Sequence, residues 1–249
     1  MSGVGRAAAA AAGLLLACGA RADAQRPEEW RFGVTPYFWM AGVDGNVGVG
    51  SLSTRVDLSA SDRLDNLQGV AMVYGEARVR HWVMGLDAAY LSVGPGPAFA
   101  ASGATGTFLL QQKQTIIQPT AGYTFVFYDG FTVDALVGAR YWNVDHTLDL
   151  SGADQASRTQ SDTRQWLDAT AGLRATWWPF DRLQIAAGED GGGGGSRSSW
   201  NAYGGASAVV TSWLSLGLWY RSLDVNYDRD NMLFDTNTQG LGLSLTLSF

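Results

Sequence analysis

The feature that most constrains this chain is a period of two. Across 166–178, Leu167, Ala169, Ala171, Leu173, Ala175 and Trp177 alternate with Asp168, Thr170, Gly172, Arg174 and Thr176. The last segment sets Leu241, Leu243, Leu245, Leu247 and Phe249 against Gly242, Ser244, Thr246 and Ser248, and segments 131–141 and 214–220 repeat the pattern. Such alternation places one residue class on each face of a β-strand. Few segments carry a 3.6-residue period. Beyond residue 30, no run of ~18 apolar residues offers a transmembrane helix.

Composition decides what each face meets. A sandwich in water would carry many Lys, Glu and Thr on its polar face. Here that face is Gly, Ser and Thr with few charges of mixed sign, and only 16% of all residues are charged. The opposite face is Leu, Val and Ala, ending in aromatics such as Tyr123, Phe125, Phe127, Trp177 and Trp178. An apolar outer band with aromatic girdles around a polar interior is the pattern of a transmembrane β-barrel. Closure also pairs every backbone amide, which lipid requires. The expected fold is therefore all-β: a closed antiparallel up-and-down transmembrane barrel.

Short polar turns at 80–82, 128–130, 178–181 and 211–212 alternate with long segments at 44–66, 94–110, 146–162, 189–199 and 228–235, which read as external loops. Strands are expected at 30–42, 69–80, 82–93, 111–128, 130–145, 163–178, 182–189, 199–210, 213–227 and 236–249. Ten strands (within 8–12) put both termini at the short-turn, periplasmic end, with 45–59 a candidate further hairpin arm. A short helix is expected at 61–67, with Leu64 and Leu67 at i, i+3. Pro119 falls inside a strand, where the missing ladder donor marks an edge or a bulge.

Residues 1–24 read as a signal peptide: Arg6, an uncharged run from Ala7 to Ala20, then Ala22-Asp23-Ala24. Their removal takes Arg6, Arg21 and Asp23, shifts the net charge from −6 to −7, and deletes Cys18, the single cysteine. Leu15-Leu16-Ala17-Cys18 offers a rival lipobox. Residues 25–249 then form one barrel domain. The 46% apolar content excludes disorder, and no basic cluster suits nucleic acid.

If the apolar faces point outward, Glu76, Arg78, Arg80, Asp87, Asp134, Arg140, Asp168, Arg174 and Arg221 converge in the lumen. Away from bulk water they must pair in a structural network, or else line a wet constriction. Trp142, Trp166 and Trp219 on the inward faces narrow the lumen further. The expected role is structural or narrow-pore, with a largely filled interior. The alternatives are an open small-solute porin and a rim enzyme acting on lipid or peptide. His146, beside Asp145 and near Asp149, Ser151 and Asp162, is the best-placed acid–base group, but no spacing fixes a nucleophile beside it. The chain is expected not to be an enzyme. His81 belongs to a solvated turn. In 224–230 the acids imitate the start of a calcium loop, yet Arg229 stands where glycine is needed and Asp235 where glutamate is. The glycines at 191–195 lack a following Lys-Ser/Thr, so they make no phosphate loop. They read as a tight external turn. No metal or cofactor is expected.

WRFGVTPYFWMAGVDG at 30–45, DLSASDRLDNL at 57–67, Gly138-Ala139-Arg140-Tyr141-Trp142 and Trp219-Tyr220-Arg221 with Asp224 resemble uncharacterised outer-membrane β-barrel proteins of proteobacteria, loosely called porin-like. The EDGGGGGS stretch at 189–196 departs from that pattern. The terminal Leu247-Ser248-Phe249 is similar to the aromatic signal read by the barrel-assembly machinery, which would make Phe249 the assembly signal. The resemblance implies an outer-membrane location in a Gram-negative envelope, with lipid and lipopolysaccharide as neighbours.

Overall fold

The computed structural model describes residues 29–50, 52–94, 107–152 and 155–249. The expected signal peptide lies outside these residues, as does most of the segment between the fourth and fifth strands. Eleven strands and one helix are described: β1 (Arg31–Val49), β2 (Leu52–Leu58), α1 (Ala60–Asp65), β3 (Leu67–Val79), β4 (Trp82–Val93), β5 (Thr107–Tyr128), β6 (Phe131–Gly152), β7 (Gln155–Phe180), β8 (Leu183–Gly194), β9 (Ser198–Val209), β10 (Leu214–Arg229) and β11 (Met232–Ser248). From β3 onward each strand pairs antiparallel with the next, and β11 returns to β1 over Gly33↔Ser248 to Val49↔Met232. Ten strands close the barrel, β1 meeting β3 over Arg31↔Arg78 to Pro36↔Val73. The eleventh, β2, is the further hairpin arm, folded against the upper part of β1 from Val43↔Leu58 to Val49↔Leu52.

The strands run further than their sequence patterns suggested. Segments 146–162 and 228–235 were expected as loops; 146–152 and 155–162 are the upper arms of β6 and β7, and 228–235 is the tip of the β10–β11 hairpin. The reason is an inversion of phase. On β10, outward positions read Leu214, Leu216, Leu218 and Tyr220, then Ser222, Asp224, Asn226 and Asp228. Inward positions change in the opposite sense, from Ser215, Gly217, Trp219 and Arg221 to Leu223, Val225 and Tyr227. On six of the ten barrel strands the switch falls at paired positions. Ile117↔Tyr141↔Leu167 and Tyr220↔Leu241↔Met40 are the last apolar outward pairs. One step above them stand Thr115↔Asn143↔Gln165 and Ser222↔Gln239↔Gly42. Below this line the outer surface is apolar and ringed near the short turns by exposed Trp82, Phe125, Trp177 and Trp213, which is the belt a barrel presents to lipid. Above it the outside is polar and the core lies inside, as in a protein packed in water.

The hairpin β10–β11 turns on Asp230 and Asn231, with φ of 53° and 64°. Both sit in the left-handed region that Asp and Asn tolerate, as a two-residue hairpin demands. α1 forms where expected, its cap two residues earlier than Ser61. Ser59 accepts from the Asp62 N–H while the Asp62 carboxylate accepts from the Ser59 N–H, a reciprocal capping box. Pro119 faces outward, and the β5–β6 ladder skips it between Ile117↔Tyr141 and Thr120↔Gly138. The missing donor thus costs the wall one local interruption, not an edge.

Candidate functional site

Alternation carries the ionisable residues inward, and register decides who meets whom. Nearest the short turns, Arg174 bridges two carboxylates. It reaches Asp134 Oδ2 at 2.6 Å from Nη2 and Glu76 Oε2 at 2.7 Å from Nη1. Arg78 closes the square on Glu76 at 2.6 Å and Asp134 at 2.7 Å. Hydroxyls supply further donors: Tyr74 donates to Glu76 at 2.7 Å and Thr124 to Asp134 at 2.6 Å. Two cations face two anions, so the cluster is neutral and almost every oxygen is occupied. This is the condition under which buried ions are tolerated.

A second neutral cluster lies above it. Arg221 donates to Asp87 at 3.2 Å and to Asn201 at 2.8 Å, and its guanidinium lies 5.0 Å from the Trp39 ring centre. Tyr37 donates to the other Asp87 oxygen at 2.7 Å. Arg140 is fully buried and pairs with Asp190, Ser199 and Gln118. Asn201 links the halves by donating to Asp190 at 2.7 Å. A cavity of about 30 Å³ remains between the clusters, touched by Tyr74, Asp87, Arg174 and Asp190.

Two expected members stand apart. Arg80 is exposed in the β3–β4 turn at φ 54°, because β3 ends one residue earlier and the inward phase stops with it. Asp168 is fully buried but, among the described residues, is held by no arginine. It accepts from the Ser196 N–H at 2.7 Å, the Ser196 hydroxyl at 2.9 Å and the Trp166 indole at 3.3 Å. The glycine-rich segment is therefore no free loop: β8 continues through it to Gly194, and Ser196 pins the turn to the wall. Gly191 packs where a side chain would meet the Trp200 ring at 2.5 Å. Asp190 is the partner that the sequence pattern missed. Extending the inward phase Gln184, Ala186, Gly188 by one step would have found it.

Above the ions the lumen turns aromatic. Trp166 stacks on Tyr227 with centroids 4.2 Å apart and on Trp142 at 5.5 Å, with Phe234 packed edge-on to Trp142. Val47, Val56, Val144, Leu148 and Met232 belong to the same buried cluster. His146 belongs here and not at an accessible rim. It is fully buried, 5.2 Å from the Phe234 ring, and neither ring nitrogen has a hydrogen-bond partner among the described residues. The acids of 224–230 spread along β10, Asp224 and Asp228 facing outward and Asp230 in the turn, and do not wrap a cation. Among the described residues no cluster of three or more His, Cys, Asp or Glu has metal-binding geometry.

The chain is similar in structure to the outer membrane protease OmpT from Escherichia coli, with a TM-score of 0.56 at 8% identity over 92% of this chain and 100% of that one. It also aligns with Ail, the attachment invasion locus protein of Yersinia pestis, at 13% identity over 89% and 99%, with a TM-score of 0.37. The toluene transporter TodX of P. putida aligns at 9% identity over 90% of each chain, with a TM-score of 0.36. At these identities likeness shows fold alone, and of the three only the OmpT superposition carries weight. No protein-family model matches the chain, and no curated protein matches it in sequence. The family resemblance thus finds support in the barrel architecture and none in sequence.

Proposed function

We propose that residues 25–249 form an integral outer-membrane barrel with a closed lumen, a structural wall element of porin-like architecture that does not conduct. The observation that carries this is the Trp142–Trp166–Tyr227 stack lying across the lumen above two neutral ion clusters. An ion entering from the polar side would have to cross both. The rim-enzyme alternative loses its best acid–base group, since His146 is sealed under Phe234. Lipid and lipopolysaccharide would meet the belt and the polar collar above it. Phe249 suits an assembly signal: it is 75% exposed at the foot of the wall, its backbone paired both ways with Phe32.

Planar-bilayer recording of the purified mature protein tests the reading. No steps above bare-bilayer noise are expected. Stable channels would favour the open porin and overturn the closed lumen. The membrane assignment is tested separately, by heat-modifiable migration in detergent gels and by fractionation with outer membranes.

A further inference from the structure

One seam in the wall is not zipped. β3 pairs with β1 only from Arg31↔Arg78 to Pro36↔Val73, and β2 takes up β1 only from Val43. Between them, Tyr37 to Gly42 has ladder partners on the β11 side alone, among the described residues. Pro36, which cannot donate, stands where the β3 ladder stops. Met40 lies at the top of the apolar belt, so the gap opens at the boundary between lipid and water. Unsatisfied backbone there costs several kcal/mol per group, and α1 fills the gap. Arg63 donates from Nη1 to the Ala41 carbonyl at 3.2 Å.

That bond uses one of five guanidinium donors. Arg63 is 6% exposed, and among the described residues no carboxylate lies within ion-pair distance of it. Burial lowers its pKa to about 10, which keeps it charged at neutral pH. Arg63 lines a cavity of about 40 Å³, shared with Phe38, Met40, Leu64, Met72 and Ile116. This is space for a few water-sized groups, enough for the leading methylenes of one alkyl chain but not for two chains. A buried cation with donors to spare beside a narrow apolar cleft, at the level where headgroups meet acyl chains, matches an anionic single-chain amphiphile.

We propose that the β1–β3 seam is a lateral binding site for a free fatty acid, whose carboxylate takes the open donors of Arg63 while its first methylenes enter the cavity. The cleft reaches the bilayer side of the wall at Phe38, Met40 and Leu64, and its inner end meets Trp39, Met72 and Ile116 of the barrel interior.

The probe is dodecanoate, titrated calorimetrically into the full mature barrel in nonionic detergent. Saturable binding at one site is expected. Arg63→Gln should weaken it about tenfold or more, as loss of a charge-assisted hydrogen bond does. Met72→Trp keeps the arginine, fills the cavity and should abolish binding, which covers the case in which Arg63→Gln misfolds. Both variants are checked by heat-modifiable migration. Dodecyltrimethylammonium should not compete. The proposal falls if dodecanoate shows no saturable binding, if a folded Arg63→Gln binds as tightly as the parent, or if Met72→Trp leaves affinity unchanged. Tighter binding of dodecyl phosphate than of dodecanoate would also overturn it, assigning the seam to a lipid phosphate.

Discussion

The two halves of this barrel solve opposite problems with the same strands. In the belt, lipid takes the apolar side chains outward, and the inward face is left to arginines, carboxylates and hydroxyls that must satisfy one another. Above the belt, water takes the polar side chains outward, and the inward face condenses into tryptophan, valine and phenylalanine. The interior is therefore the complement of whatever solvent lies outside at that height. The period of two persists across the line and only its phase changes. A strand can cross two solvents without a break in its ladder.

The largest expected effect breaks the lower half. Arg174→Met leaves Glu76 and Asp134 with Arg78 alone and should cost about 3–5 kcal/mol, measured by urea unfolding in detergent. A loss under about 1 kcal/mol would mean that the ions sit in water and that the closed lumen is wrong. Next, the boundary itself is tested from outside. Leu218→Arg, in the belt, should cost about 2–4 kcal/mol in lipid vesicles. Asn226→Arg, on the same face of the same strand but above the line, should stay within about 0.5 kcal/mol. Equal costs at the two positions would erase the boundary. A gain is expected from the upper half, where His146→Leu replaces an imidazole without partners by an apolar side chain of similar size. Stability should rise by about 1 kcal/mol, part of the penalty of an unsatisfied buried group. A fall would reveal a hydrogen bond or water that the imidazole needs. The smallest thermodynamic effect belongs to Phe249. Deleting it should change the unfolding free energy by under about 0.5 kcal/mol, while lowering the amount that reaches the membrane. Wild-type insertion after deletion would remove its role as an assembly signal.

The same contrast explains how much could be read from the sequence. The belt half of each strand was legible because lipid makes outward Leu and inward Gly or Thr look alike from strand to strand, as in 166–178. Facing followed directly, and with it most of the buried charges. The upper arms beyond 145 and 227 were not legible: Asp149 and Asp228 on the outer face looked like loop acids once the apolar positions had moved inward. Asp190 was hidden by its glycine neighbours, which are small because Trp200 and the facing backbone crowd them. Pairing lay further out of reach. Arg140 meets Asp190 and Arg174 meets Glu76 only through the stagger of strands around the closed wall, which no single segment encodes.

The change of phase at paired positions also acts as a depth gauge. Moving the barrel by one residue pair along its strands shifts it roughly 5 Å along the membrane normal. A shift inward drags Thr115, Asn143, Gln165, Ser222 and Gln239 together into hydrocarbon. A shift outward lifts Ile117, Tyr141, Leu167, Tyr220 and Leu241 together into water. Because these residues are paired across β5–β7 and across β10, β11 and β1, the penalty rises on six strands together on either side. The protein's vertical position is held by six of its ten wall strands, and a bilayer of the wrong thickness must deform to meet them.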